Sequence, residues 1–496
     1  MRADKKKHFL PGTALAVIAM IIALASEAAF ILALMALDVL PGKYVAAVLI
    51  VIAILDVLMI WLLCGRSKKR KIPGYILALI ILCVMGVGTY YMYDTYVTME
   101  KISEYSEHWE DYDVVVAKDG TYDSAADIKG QKVYAYDNSS KMYQEAREKL
   151  ITKSDVEFDY KDDVNAVCDK LVNSDGVVSD KIIYISDNNY QMMCEEDKNF
   201  KKNTKVLFTI KVAQRENDNK DSIDVTQDPF NICVSGIDMW GDIDQVSRSD
   251  VNMIITVNPQ THTILLSSVP RDSYVTLHTY QELDKLTHSG IYGVDETVKT
   301  LEDWLDIDIQ YYIRVDFSML VDIVNAIGGI DVYSDYEFDS SIHNCDHHDT
   351  HYEKGWNHMN GKEALYFARE RHAFEDEDQQ RIIDQQKVMK ACLKKVMSSN
   401  KLLTNYTDLL KAVDGEMQTD ISQKDMAALV KMQLKDMPEW DIQMQTVKGD
   451  LTMKGTYSMG FGRDLLVSIP REESVKEVSQ KIHDVLYPDS TKGDDE

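Results

Sequence analysis

Long apolar runs open the chain, and short ones separated by polar residues follow. Three runs in the first 93 residues are each long enough to cross about 30 Å of hydrocarbon, and they occupy residues 9–37, 44–64 and 74–93. Pro41 and Gly42 separate the first run from the second. We therefore predict three transmembrane helices in residues 1–93, followed by a polar connector in residues 94–111.

The apolar runs after the connector are short and alternate between strand-like and helix-like patterns. Strands are predicted at 114–117, 132–134, 156–160, 181–185 and 205–212, and helices at 141–150 and 164–172. This pattern is typical of a small α/β accessory domain at residues 112–213. It contains no recognisable catalytic set, so we interpret it as a spacer or partner-binding module. The polar residues 214–228 are the predicted linker to the next domain.

A larger α/β domain is predicted at residues 229–487. Its strands are predicted at 232–234, 251–257, 264–269, 309–315 and 330–333, and its helices at 293–305, 317–327, 361–367 and 379–397. Because helices alternate with strands, a central sheet flanked by helices on both faces is the expected fold. Residues 488–496 are predicted to be a disordered acidic tail.

Charge is distributed unevenly along the chain. The formal net charge is −27, but residues 1–93 carry +6 and the remainder −33. Basic tracts at residues 2–7 and 66–71 favour the cytoplasmic side, which places everything after Asp94 outside the cell membrane. The acidic extramembrane part repels phosphate backbones and therefore argues against nucleic acid as a partner.

Polar residues gather where the first strands of the larger domain should end. Asp238 follows the first strand, Arg248 and Asp250 precede the second, and Arg271 and Asp272 follow the third. Carboxylates and arginines at adjoining strand ends are what a metal-assisted phosphate site requires. Solvated turn charge is the alternative that this stretch alone leaves open.

A second cluster lies in residues 367–390. Arg369 and Arg371 are two residues apart, so they share a face only on extended chain, and the preceding helix must then end near Ala368. Asp378, Arg381 and Gln385 are spaced for one face of the next helix. Together they predict a fork-shaped anion clamp. The alternative is a surface ion-pair network with the neighbouring acids Glu370, Glu375, Asp376 and Glu377.

The segment HNCDHHDTH at residues 343–351 is rich in potential zinc ligands. No paired CxxC or helical HxxxH spacing supports a zinc site, so we predict a solvated loop. The cysteines outside the membrane indicate no disulfide framework.

The two polar clusters, residues 285–288 (KLTH) and the late segments TDIS at 419–422 and VSIP at 467–470 together resemble the LytR–CpsA–Psr family of cell-envelope phosphotransferases. The resemblance extends from about residue 231 to the C-terminus. Three membrane spans, an accessory domain and then this domain are similar to the capsule-type members.

The resemblance implies transfer of a glycopolymer from a polyprenyl-pyrophosphate carrier to peptidoglycan, assisted by Mg²⁺ or Mn²⁺. By motif, Asp238 and Asp250 would be the metal ligands. Arg271, Arg369, Arg371 and Arg381 would contact the pyrophosphate, with Asp378 beside them and with Arg248, Lys285 and Gln385 in substrate-binding roles.

Phosphoryl transfer requires mainly positioning and charge stabilisation, so the lack of a nucleophilic serine or cysteine motif agrees with this chemistry. Asp378 could accept a proton from the acceptor hydroxyl or orient an arginine, and we favour the second role. Two other functions stay open: hydrolysis of the same lipid pyrophosphate with water as the acceptor, and a non-catalytic envelope sensor or transcription attenuator.

Overall fold

The computed structural model describes residues 11–65, 67–103, 108–136, 141–173, 175–214, 223–237, 248–340, 350–375, 377–397, 406–460 and 464–488. By its internal contacts the chain forms two compact units. One contains Met1–Ser103, Val396–Asp414 and Ile421–Glu439. The other contains Glu104–Lys395, Gly415–Asp420 and Trp440–Glu496.

Helices and strands are interspersed in the part of the chain after the membrane segments. The helices are α1 Pro11–Leu37, α2 Gly42–Leu63, α3 Lys68–Ser103, α4 Lys141–Ser154, α5 Val164–Leu171, α6 Asp187–Glu196, α7 Lys198–Asn203, α8 Leu286–Ser289, α9 Val294–Leu305, α10 Phe317–Ala326, α11 Gly361–Arg369, α12 Glu377–Met397, α13 Tyr406–Val413, α14 Gln423–Asp436 and α15 Glu472–Leu486. The strands are β1 His108–Ala117, β2 Lys132–Tyr136, β3 Glu157–Lys161, β4 Ile182–Ser186, β5 Thr204–Gln214, β6 Phe230–Ile237, β7 Ser249–Asn258, β8 Thr263–Val269, β9 Tyr274–Thr276, β10 Leu283–Lys285, β11 Tyr311–Val315, β12 Ile330–Ser334, β13 Phe338–Asp339, β14 His351–Tyr352, β15 Gly355–Met359, β16 Met417–Thr419, β17 Asp441–Thr446, β18 Gly449–Gly455 and β19 Asp464–Pro470.

Helices α1, α2 and α3 are long and apolar enough to cross a membrane, as the sequence predicts. The third is longer than expected, because it continues to Ser103 and β1 begins at His108. These two elements therefore occupy most of the predicted polar connector. In the same unit, Leu37, Val39 and Met99 form a buried cluster with Ala427 of α14.

The first sheet belongs to the accessory domain and has five strands in the order β3-β2-β4-β1-β5. Its strands match the predicted ones to within a few residues, except that β1 begins six residues before the predicted 114. Helix α6, which the sequence pattern did not indicate, follows β4 directly. Its Asn188 donates a hydrogen bond to the carbonyl of Ile291 over 2.8 Å, and its Met192 packs with Ile291 and Met459. The accessory domain thus contacts the larger domain through α6.

The second sheet is mixed and has six strands in the order β16-β11-β6-β7-β8-β17. Strands β6, β7 and β8 are buried almost along their whole length, which explains their near-continuous apolar sequence. Cys233, Ile254 and Leu265 pack on one face against α9 and α15. The alternate residues Val234 and Leu266 are buried as well. The predicted sheet covered on both faces is therefore confirmed.

Candidate active site

The pairing of β7 with β8 brings the first polar cluster together. The two strands run antiparallel with Asn252 opposite Val269, so the start of β7 lies beside the end of β8. Arg271 Nη1 consequently donates to Asp250 Oδ1 over 2.8 Å. The hydroxyl of Thr287 donates to the same oxygen over 3.3 Å. Residues 21 positions apart in sequence thus form one ion pair at the sheet edge.

The turn after β8 holds Arg271 in place. Lys285 Nζ lies 2.6 Å from Asp272 Oδ1, and both side chains are largely buried. The amide of Thr287 donates to the carbonyl of Arg271 over 2.8 Å. Lys285, which the resemblance placed near the substrate, therefore pairs with the residue next to Arg271.

Arg369 and Arg371 lie at the end of α11. This helix begins with a capping box between Asn360 and Glu363, and it ends at Arg369, one residue later than predicted. Glu370 then adopts an extended conformation with φ −64° and ψ 139°. The guanidinium carbon of Arg369 lies 4.6 Å from the centre of the Phe317 ring.

Glu370 is fully buried, and its carboxylate shapes the turn that carries Arg371. Its Oε1 accepts hydrogen bonds from the backbone amides of Arg371, over 2.9 Å, and Ala373, over 3.2 Å. The alternative of a surface ion-pair network that includes Glu370 is therefore wrong for this residue, because it is inside the protein.

Helix α12 supplies the remaining polar residues. Arg381 Nη2 lies 2.6 Å from Asp378 Oδ1, one turn earlier on the same helix. Only 11% of the Arg381 side chain is exposed. Asp378 is thus placed to orient Arg381, the role that the sequence favoured. One turn further on, burial raises the pKa of Asp384 to about 6.

These elements surround a single cleft. It is lined by Asp250, Val251, Arg271, Phe317, Arg369, Glu370, Arg371, His372, Arg381 and Gln385. The four arginines predicted to form the clamp are all among these residues. Both polar clusters, which are about a hundred residues apart in sequence, therefore contribute to one site.

The cations in the cleft are close enough to affect one another. Burial lowers the pKa of Arg381, and the charges of Arg271 and Arg371 lower it further, against the opposing effects of Asp378 and Asp250. Burial also lowers the pKa of Arg271, but Asp250, Asp272 and Asp378 more than offset this and raise it overall. Among the described residues, the buried Nε atoms of Arg271 and Arg381 have no hydrogen-bond partner. Two unpaired cationic donors in one cleft are suited to an anion.

The roles of two predicted site residues, Asp238 and Arg248, stay predictions. Asp238 lies outside the described residues, so its role as a metal ligand stays a prediction. Arg248 is half-buried immediately before β7 and is not among the described residues that line the cleft. Its substrate-binding role also stays a prediction.

Sequence reasoning missed Phe317, His372 and Thr287. Phe317 has the pattern of an ordinary apolar helix residue, and nothing in the sequence indicates that it lies beneath Arg369. Thr287 stands within the KLTH segment, but its contact with Asp250 depends on the fold of the turn. His372 follows Arg371 directly, and this adjacency was the available signal.

The histidine-rich segment lies mostly outside the described residues, which include His351 but not 343–349. His351 is exposed and lies in β14, and the solvated loop predicted for the rest of the segment stays a prediction. A hydrogen bond to Asp339 raises the pKa of His351. Ligand atoms of Glu337, His351 and Glu353 lie within 4.8 Å of one another, but all three residues are exposed.

The chain was compared with known proteins. The model of the LytR_cpsA_psr family matches residues 184–481. A polyisoprenyl-teichoic acid–peptidoglycan teichoic acid transferase TagU from Bacillus cereus is 35% identical over 225 residues, which are 45% of this chain and 71% of that protein. TagU from another Bacillus cereus strain is 37% identical over 205 residues, 41% of this chain and 64% of that protein, slightly less than two thirds of its length. The crystal structure of TagV from B. subtilis is 27% identical with a TM-score of 0.44, covering 52% of this chain and 98% of that one.

The chain thus combines an arginine-lined cleft at the strand ends of an α/β sheet with three helices long and apolar enough to span a membrane. The family match covers more than half of the chain. The protein belongs to the LytR_cpsA_psr family.

Proposed function

We propose that this protein transfers a cell-wall glycopolymer, of the capsular polysaccharide or teichoic-acid type, from a polyprenyl-pyrophosphate carrier to peptidoglycan, forming a phosphodiester link. The observation that carries the proposal is the crowding of Arg271, Arg371 and Arg381 in one half-buried cleft, where burial and the neighbouring cations lower the pKa of Arg381. The names of the Bacillus cereus relatives support the substrate classes.

A pyrophosphate suits this cleft because it places two adjoining anionic groups against several guanidinium groups. Each arginine offers forked donors that match phosphate oxygens. A bound anion would also offset the remaining repulsion among the cations, which Asp250 and Asp378 already reduce.

In the proposed mechanism the arginines bind the phosphates and stabilise the charge that develops as the phosphorus–oxygen bond to the carrier breaks. Asp250 orients Arg271 and Asp378 orients Arg381, each through an ion pair at hydrogen-bond distance. A hydroxyl group of the peptidoglycan glycan attacks the phosphorus that bears the glycopolymer, and the bond from that phosphorus to the bridging oxygen breaks. The carrier leaves as a polyprenyl phosphate, and the proton of the hydroxyl passes to water. Lys285 and Glu370 act on the turns that position Arg271 and Arg371.

A divalent cation, Mg²⁺ or Mn²⁺, is part of the proposal. Asp250 fits such an ion, because its carboxylate lines the cleft and hard cations in phosphate sites are held by one or two carboxylates together with substrate oxygens. Asp238 would be the second ligand by resemblance. When bound, the cation would neutralise charge on the phosphate oxygens.

The proposed location of the catalytic part is outside the cell membrane, held there by α1, α2 and α3. The basic tracts at both predicted cytoplasmic ends support this orientation. Peptidoglycan, the proposed acceptor, is on the same side.

The test of function is transfer by the full-length protein in detergent, with a radiolabelled lipid-pyrophosphate-linked glycopolymer and with peptidoglycan stripped of its own polymers. We expect label in the insoluble peptidoglycan and release of polyprenyl phosphate. Free phosphorylated polymer with and without peptidoglycan would instead indicate a hydrolase. Release of neither product would contradict both enzymatic functions and favour a sensor.

Removal of the cation is expected to abolish transfer. A chelator should reduce the rate on the order of a hundredfold, and added Mg²⁺ or Mn²⁺ should restore it, because several kcal/mol of charge stabilisation are lost. Asp250→Asn should have a comparable effect that added metal does not reverse.

Asp303→Asn is the matched control, because Asp303 is exposed and pairs with His278 instead of lining the cleft. It should transfer at the normal rate. Normal transfer in the presence of chelator would rule out the cation but would leave the arginine site intact.

A further inference from the structure

A pair of exposed aromatic side chains lies on the ribbon formed by β12 and β15. Trp356 is 73% exposed and Tyr333 is 43% exposed. They are directly opposite each other across the two strands, with ring centres 5.6 Å apart and ring planes at 79°. An indole this exposed on a well-formed strand is unusual, and exposed aromatic patches commonly mark binding surfaces.

The ribbon has two different faces. Ile330, Val332 and Met359 point inward and are buried. The outer face carries the aromatic pair and, beside it, His358 and Asp331, whose Nδ1 and Oδ1 atoms are 2.8 Å apart, at hydrogen-bond distance. The core therefore fixes the ribbon from below, and burial in the core does not account for the aromatic residues above.

Aromatic residues continue from the ribbon toward the cleft. Tyr336, which is 52% exposed, lies just beyond β12, and its ring centre is 5.7 Å from that of Phe374. The amide of Phe374 donates to the carbonyl of Arg371, which lines the cleft. On the other strand, β15 is followed directly by α11, a helix about 13 Å long that ends at Arg369. The aromatic face is thus linked to the segments that carry Arg369 and Arg371, through α11 and through the contact of Tyr336 with Phe374.

The chemistry of this face suits a sugar. A pyranose ring presents C–H groups on its faces, which pack against an indole or phenol ring, and hydroxyl groups at its edge. Burial of the C–H face against an aromatic ring is favourable because it removes apolar surface from water. Asp331 and His358 provide hydrogen-bonding groups for the hydroxyls at the edge.

The local charge of the ribbon distinguishes among the ligands that could bind to its outer face. Residues 330–340 and 350–360 contain five carboxylates and one lysine. This local excess of negative charge repels a polyanionic teichoic acid and an anionic lipid surface. It does not repel an uncharged glycan.

We infer that the outer face of the β12–β15 ribbon, centred on Trp356 and Tyr333, binds the uncharged glycan strand of the peptidoglycan acceptor. The identity of the acceptor rests on the proposed function, whereas the glycan chemistry rests on the face itself. Trp356 packs against one sugar ring of the glycan strand. The attacking hydroxyl belongs to a neighbouring sugar of the same strand, which lies at the arginine clamp.

Binding can be measured with the full-length protein in detergent, using strands of β-1,4-linked N-acetylglucosamine, an uncharged amino-sugar chain, as the probe. Wild-type protein should bind these strands, and Trp356→Ala should raise Kd and the KM for peptidoglycan about tenfold, as loss of a central aromatic contact does. Trp356→Phe should recover part of the affinity. The KM for the lipid donor should stay at the wild-type value, which a general structural defect would not allow.

Tyr160→Ala is the matched control. Tyr160 is an exposed strand tyrosine, 41% accessible, that stacks on Phe158 in the accessory domain. The Tyr160→Ala protein should bind the glycan strands as tightly as the wild-type protein does.

The possible outcomes separate this inference from the proposed function. Wild-type protein that binds no glycan strands, or that binds teichoic acid or anionic vesicles through Trp356 instead, would overturn the inference even if transfer occurs. Glycan binding that depends on Trp356, in a protein that transfers nothing from the lipid donor, would support the inference and contradict the proposed function.

Discussion

Arg271→Lys is expected to transfer glycopolymer about a hundredfold more slowly than wild type, nearly as slowly as Arg271→Ala. Loss of one charge-assisted contact to the transition state costs roughly 2–4 kcal/mol, and each 1.36 kcal/mol is a factor of ten in rate. Lysine keeps the charge, but its ammonium group lacks the planar fork with which Arg271 can hold Asp250 and contact a phosphate at the same time. The measurement is the initial rate of transfer at saturating donor and acceptor.

The clamp residues should also fail to act independently. The double variant Arg271→Ala/Arg371→Ala should lose much less than the product of the two single losses, because both side chains act on one anion. Arg471→Lys is the control, since Arg471 pairs with Asp450 in an exposed Arg–Asp pair that does not line the cleft. Near-normal transfer by a well-folded Arg271→Lys protein would mean that Arg271 is not part of an anion clamp.

The second large effect is expected at Arg381, where activity and stability should move in opposite directions. Arg381→Met should slow transfer as strongly as Arg271→Lys does, while the midpoint of thermal unfolding stays unchanged or rises. The reason is that the buried cation has nearby cations and a lowered pKa, so the folded protein is destabilised by holding it there. Replacement of a buried ion pair by an apolar side chain is often neutral or stabilising by about 1–4 kcal/mol. Asp378 is partly exposed, so water can solvate it after the substitution.

Lys387→Met provides a control on the same helix with the opposite expectation. Lys387 is about as buried as Arg381, at 14% exposed, and lies 3.3 Å from the almost inaccessible carboxylate of Asp384. Its loss leaves that carboxylate without a compensating cation, so the unfolding midpoint should fall, while each folded molecule transfers at the normal rate. A fall in the midpoint for Arg381→Met as large as that for Lys387→Met would contradict the view that Arg381 is held at a cost in stability.

The sequence predicted those features that depend on local pattern. Strands β2 to β8 and β11 follow from apolar runs, and the end of α11 at Arg369 agrees with the end near Ala368 that the spacing of Arg369 and Arg371 requires. The arrangement of Asp378, Arg381 and Gln385 follows from helical periodicity. These predictions succeeded because the physical cause of each lies within a few residues along the chain.

Features that depend on contacts between distant segments could not be predicted in this way. The pairing of Asp250 with Arg271 requires the register of β7 and β8, and the position of Phe317 beneath Arg369 requires two helices to meet. Glu370 appears in sequence as one of several surface acids, and only the folded turn shows that it is buried.

The buried carboxylate of Glu370 has a consequence for how the chain can vary in length. Its two hydrogen bonds to the amides of Arg371 and Ala373 close a turn that allows no extra residue. An insertion between Arg369 and Ala373 would break these bonds and redirect one arginine away from the cleft. We therefore expect related proteins to keep the spacing from Arg369 to Ala373 unchanged.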